Sequence, residues 1–468
     1  MFSLKSPIRI PEAIIIFTCG IFLSACSSST SNNSSDIEPL QDWRKTIGNS
    51  GETLANRISA GLTGIEEDEC FHQAGDHINC DFQSFSVDIS FVDNGFLTRE
   101  AILIVDELVP AVEMLRDRNR ILGNYRVESN GKIAPVQANW YLPLVFGDIV
   151  TAFASSPFIP SEDLIELGVE LEETYSDHVP VVGSHGLAVY NILSNLVPNH
   201  PIVFLDNNLL TFNQSMPEVF CAVDSTDPDD GNLSALREHS EQFSTSLQEL
   251  LVSHNIRFIN ASFGYTIETI RGPWPSVCET ELPDEAVLLA ILEAYRPIFD
   301  VLFNTDGVFT AHAGFESPNN THFPYDQVSP GFPNRLRVGV LAHNGSDIPA
   351  GGLSSIPVEY SPVPSIEDAD IFVNSGCNTL GNCRGERPLS LAGLYGMGRI
   401  TFPIPQTSFS TPLLLAHFIY KRNQPQFRDL AMDNNVVSAL IGEVVHDCND
   451  TSGICIYIDP LLHEQFEE

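Results

Sequence analysis

Ala101-Ile102-Leu103-Ile104-Val105-Asp106 is a continuous apolar run closed by a carboxylate. A strand with one wet face alternates apolar and polar residues. This run does not alternate, so it predicts a strand buried on both faces, as in a parallel sheet covered by helices on each side. Asp106 ends the run, and in open parallel sheets catalytic and ligand-binding groups collect at the carboxyl ends of strands. A helix-cap role for Asp106 is the alternative, because Pro110 and a helical pattern come after it.

The second informative stretch is Gln406-Thr407-Ser408-Phe409-Ser410-Thr411-Pro412, with Leu413-Leu414-Leu415-Ala416-His417-Phe418-Ile419-Tyr420 behind it. Small hydroxyl residues stand where a helix begins, and the body is apolar almost all round, which predicts a buried helix. The N-terminal end of a helix carries partial positive charge. A serine held there can attack a carbonyl and have the resulting oxyanion stabilised. As a plain structural feature, Ser408 is a helix cap. Two further helices are expected from apolar spacing: Leu233 to His254, with Leu233, Leu236, Phe243, Leu247, Leu250 and Leu251 on one face, and about Asp284 to Leu302. Phe85 to Val92 alternates and predicts a one-sided strand.

The serine stretch resembles the active-serine segment of the subtilisin-like serine peptidases, Gly-Thr-Ser-Met-Ala-Thr/Ser-Pro. Thr407, Ser408, Thr411 and Pro412 match, while Gln406, Phe409 and Ser410 depart. Val181-Val182-Gly183-Ser184-His185-Gly186-Leu187-Ala188-Val189 resembles the family's Gly-His-Gly-Thr-x-Val-Ala through His185, Gly186 and Val189. The stretch after Asp106 resembles the family's segment beyond its catalytic aspartate, with Glu107-Leu108 in place of Ser/Thr-Gly. Asp93, in Val92-Asp93-Asn94-Gly95, is the rival acid. Val197 to Asp206 resembles the family's Ala-Pro-x-Ala and the core strand behind it. Ile256 to Gly264 resembles Val-Ile-Asn-Met-Ser-Leu-Gly, and Leu336 to Ala342 matches the next strand in position.

The resemblance covers about residues 100–422, with the motifs in the order Asp, His, Ser. It implies an α/β fold: a three-layer α/β/α subtilisin-like domain on a mostly parallel sheet. It implies a serine endopeptidase in which Ser408 attacks the peptide carbonyl, His185 carries the proton and Asp106 orients His185. It places substrate binding on the backbone of Ser262, Phe263 and Gly264, where a protein or peptide chain would pair as an added strand. Gly307 to Phe315 resembles Val-Val-Ala-Ala-Gly-Asn, but Phe315 stands where the family has its oxyanion asparagine. Asn319, Asn320, His312 or the backbone at Ser408 are the candidate replacements. These departures define a second reading, a catalytically impaired binding or scaffold protein. A third, an unrelated α/β esterase, lacks a Gly-x-Ser-x-Gly elbow.

The N-terminus holds Lys5, Arg9 and an apolar run from Ala13 to Leu23, too short to span a bilayer comfortably. Leu23-Ser24-Ala25-Cys26 resembles a bacterial lipoprotein cleavage box. The implication is removal of residues 1–25, lipid on Cys26, and an outer-membrane or periplasmic-face location with the membrane reached through the anchor. Residues 26–60 read as a tether, 61–100 as an N-terminal segment, 101–422 as the peptidase domain and 423–468 as a C-terminal extension.

Eight cysteines remain beyond Cys26, an even number in an exported chain, and read as disulfides: Cys70–Cys80, Cys221–Cys278, Cys377–Cys383 and Cys448–Cys455. No metal site is expected from their spacing. The acidic loop Asp224, Asp227, Asp229, Asp230 and Asn232 has hard oxygen ligands dense enough for calcium, although its spacing does not match an EF-hand loop and ordinary helix capping explains it too. A net charge of −38 argues against nucleic acid as a partner, since phosphates would be repelled. The hydrophobic content of 43% is enough for a substantial core.

Overall fold

The computed structural model describes residues 82–86, 100–107, 121–136, 139–143, 185–197, 200–207, 210–314, 331–343, 360–363, 369–378, 389–390, 399–400, 407–446, 449–450 and 455–458. The strands in chain order are β1 Phe82–Ser86, β2 Ala101–Asp106, β3 Ile121–Val127, β4 Ile133–Pro135, β5 Asn139–Pro143, β6 Ile202–Asp206, β7 Ile256–Ala261 and β8 Phe309–Ala313. They continue with β9 Arg335–His343, β10 Tyr360–Val363, β11 Ile371–Asn378, β12 Leu389–Ser390, β13 Arg399–Ile400, β14 Asn449–Asp450 and β15 Cys455–Ile458.

The fold is α/β. Among the described residues, one sheet of 11 strands runs β14-β15-β11-β9-β8-β7-β2-β6-β3-β4, with β10 paired to β9. Every pairing from β15 through β3 is parallel; β4, β10 and β14 add antiparallel edges. β2 is buried along its whole length, as its unbroken apolar sequence requires. Its side chains divide between two cores. Ile102 and Ile104 join the helices His185–Leu196, Thr407–Arg422 and Asn434–His446 on one face. Ala101, Leu103 and Val105 join the helices Gly231–Ser253, Glu285–Glu293 and Arg296–Asn304 on the other. This is the layered α/β/α arrangement that buries a parallel sheet on both sides.

Strand order also locates a crevice. β2 lies between β6 and β7, although the chain makes β6 and β7 in succession. The chain therefore crosses β2 at this point, and a parallel sheet opens for ligands at the carboxyl ends beside such a switch. Register aligns Asp106 with Asp206 on one side of β2 and Val105 with Ala261 on the other.

One expectation from sequence changes. The helix expected over 284–302 is two helices, Glu285–Glu293 and Arg296–Asn304. Pro297 has no N–H to give to the carbonyl of Glu293 and its ring crowds that carbonyl, so the first helix ends and the proline opens the second. Of the strand expected over Phe85–Val92, Phe85 and Ser86 lie in β1, Phe82–Ser86, which pairs antiparallel with β5; residues 87–92 lie outside the described residues. The segment after residue 422 shares the main core: Val436, Val437, Leu440 and Val444 pack in the first cluster, and β15 pairs with β11.

Of the four expected disulfides, Cys221–Cys278 is formed, with a Cα–Cα separation of 5.3 Å. Each of the other three pairs includes a cysteine outside the described residues. In the acidic loop Asp230 caps the Gly231–Ser253 helix by accepting from Asn232 N and Leu233 N, and Asp227 accepts from Asp229 N at 3.0 Å. Among the described residues no group of three or more His, Cys, Asp or Glu side chains is placed to hold a metal.

Candidate active site

Asp106 is the last residue of β2, on the face shared by Ile102 and Ile104. That face receives the His185–Leu196 helix through Ala188, Val189, Tyr190, Ile192 and Leu193. His185 is the first residue of this helix, so its imidazole stands at the sheet's carboxyl edge. His185 Nδ1 lies 2.8 Å from Asp106 Oδ1. A carboxylate accepts, so Nδ1 carries the proton and Nε2 is left as the basic nitrogen. Glu107 N donates to the same Asp106 oxygen at 2.7 Å.

The two side chains differ in exposure: 4% for Asp106 and 32% for His185. The acid is sealed in while the base can be reached. Burial pushes the Asp106 carboxyl above its ordinary range, against the opposing pull of His185 and the Glu107 N–H. Its second oxygen, Oδ2, is buried and accepts no hydrogen bond among the described residues. For His185, burial works to lower the pKa. The hydrogen bond and charge of Asp106, helped by Glu107, outweigh it, and the pKa is raised.

Ser408 sits in the first turn of the Thr407–Arg422 helix and is 9% exposed. It lies inside the helix, rather than capping it from outside. The helix is buried from Ser408 to Ile419, with Tyr420 turned outward. The Phe409 ring packs beside His185 at a tilt, with ring centroids 5.4 Å apart, so the start of the serine helix and the imidazole are neighbours. The Ser408 hydroxyl donates to the Ser262 carbonyl at 3.4 Å and makes no hydrogen bond to the imidazole among the described residues.

Pro412 explains how the serine is held. Within an α-helix the carbonyl of residue 408 takes its hydrogen bond from the N–H of residue 412. Proline has none, and its ring pushes that carbonyl aside. Ser262 Oγ supplies the missing donor, at 2.9 Å from Ser408 O. Because that hydroxyl spends its proton on Ser408, it can only accept from Asn260 Nδ2, at 2.8 Å. Asn260 and Ser262 come from the carboxyl end of β7 and the turn beyond it. The sequence contained this signal: a proline four residues after a candidate nucleophile needs a donor from elsewhere in the fold.

No protein-family model matches this chain, and a search of the curated proteins finds no match to it.

The structure brings Asp106, His185, Ser408 and Ser262 to one place. Phe263 is held from the opposite side, where its carbonyl lies 2.8 Å from His312 Nε2. The bonded Nε2 proton is therefore committed to backbone, so His312 does not serve as the replacement oxyanion donor. Asp93, Phe315, Asn319 and Asn320 lie outside the described residues, as does Cys26.

Proposed function

We propose that this chain is a serine-type endopeptidase of the subtilisin-like kind, acting on protein or peptide substrates with Ser408 as nucleophile. The observation that carries the reading is the Asp106–His185 hydrogen bond of 2.8 Å, on the sheet face that also holds the serine helix. In the reaction Ser408 Oγ forms a bond to the peptide carbonyl carbon while His185 Nε2 takes the hydroxyl proton. His185 then gives that proton to the leaving amine, and water repeats the cycle to release the acyl group. Asp106 keeps Nδ1 protonated and stabilises the imidazolium. The positive end of the serine helix faces the developing oxyanion. Before attack, rotation about the Ser408 Cα–Cβ bond moves the hydroxyl from the Ser262 carbonyl to the imidazole. Attachment at the cell envelope through a lipid on Cys26 belongs to the same proposal.

A non-catalytic binding role is the second reading. It is favoured by the resting contact of the Ser408 hydroxyl with Ser262 O rather than with His185. The test compares protein begun just after Cys26 with its Ser408→Ala variant, using unfolded casein, a small ester and a fluorophosphonate label. Casein cleavage and labelling lost in the variant support the peptidase. A folded protein that does neither supports the binding role, and turnover of the ester alone points to an esterase.

A further inference from the structure

We propose that His312 is a positioning residue that fixes the edge along which a polypeptide lies at Ser408. The inference rests on the reading of residues 262–264 as the segment that pairs with substrate. His312 sits on β8 in register with Ala261 of β7 and reaches forward to the Phe263 carbonyl, 2.8 Å away. A carbonyl accepts, so Nε2 carries the proton. His312 has no exposed surface, and its ring packs 4.9 Å from that of Phe303. Burial, reinforced by the charges of Arg335 and Arg337, holds its pKa well below the ordinary value, so it is a neutral single donor.

The consequence is directional. Consecutive carbonyls in this segment go to different partners: that of Ser262 to the Ser408 hydroxyl and that of Phe263 to His312. Tying the second inward keeps the first turned toward the serine, where an arriving chain would need an acceptor. Backbone hydrogen bonds supply affinity in strand addition, so an edge free to rotate would bind an extended chain more weakly. Chemistry at Ser408 itself does not pass through His312.

The experiment uses His312→Leu, which removes the donor at similar volume, and His312→Gln, whose amide can replace it. Three quantities are read on the full chain and both variants: the rate of labelling by a small fluorophosphonate, kcat and KM on a casein-derived peptide, and the thermal midpoint. The expected result is a KM about tenfold higher in His312→Leu, the loss of one backbone-positioning bond. Labelling should stay within about twofold of wild type and Gln should restore KM. An unchanged KM, or labelling that falls together with peptide turnover, overturns the proposal. If the wild type neither labels nor cleaves, the peptidase reading fails separately. Binding of reduced, carboxymethylated casein then decides: about tenfold weaker binding by His312→Leu supports the positioning role, whereas equal binding or none overturns it.

Discussion

Ser262 Oγ stands 2.9 Å from the carbonyl of Ser408, filling the acceptor that Pro412 cannot serve within its own helix. The candidate nucleophile is therefore anchored from the residue just beyond β7, across 146 residues of sequence. The anchor is itself held by Asn260 Nδ2.

Ser262→Ala should destabilise the fold by about 1–3 kcal/mol, because it leaves the Ser408 carbonyl and the Asn260 amide without their buried partner. Denaturant midpoints of the two proteins measure this. In a Pro412→Ala background the same change should cost about 1 kcal/mol less, since the substituted helix regains an N–H at that position to serve the carbonyl. Equal costs in the two backgrounds would contradict the account of Pro412.

Asp106→Asn should lower kcat by about 10⁴-fold with little change in KM, because an amide can hold the imidazole in the wrong tautomer. Steady-state kinetics on peptide substrate, with the thermal midpoint as a control for folding, tests this. A loss below tenfold would remove Asp106 from the relay.

The acid limb of the pH–rate profile should lie above the ordinary histidine value of 6.5, because Asp106 raises His185. Neutral imidazole is the form that accepts the serine proton, so activity rises as pH rises through the raised His185 pKa and is lost below it. Removing the carboxylate charge in Asp106→Asn should move the limb downward. A limb that stays in place in the variant would mean that another group controls it.

The Cys221–Cys278 bond closes a loop with a sequence separation of 57. Replacing both cysteines by serine should lower stability by about 4 kcal/mol if the effect is mainly loop entropy. Cys278 also belongs to the second core, so polar replacement adds to the loss. Calorimetry of the double variant gives the comparison.

Gly307 has φ +67°, and a Cβ built there would stand 2.1 Å from the Met432 carbonyl. Gly307→Ala should therefore cost more than the about 1–2 kcal/mol of a left-handed alanine alone. A midpoint shift no larger than that of an exposed helical substitution would show that the Met432 backbone yields without cost.

The buried strand at Ala101–Asp106, the apolar serine helix and the α/β class are legible from the order of residues, because unbroken apolar runs in a folded domain are stable between layers. Asp106, His185 and Ser408 are singled out by the resemblance of their surrounding motifs to the subtilisin-like peptidases, in the order Asp, His, Ser. Local pattern did not reveal the break at Pro297, where a proline overrides apolar spacing, or the share that residues 434–446 take in the core. The pairing of Asp106 with His185, of the Ser408 carbonyl with Ser262 and of His312 with Phe263 arises from how the chain folds back on itself. Those contacts join residues 79, 146 and 49 positions apart. Strand order across β2 sets such distances, and a periodicity of two or 3.6 residues carries no information about it.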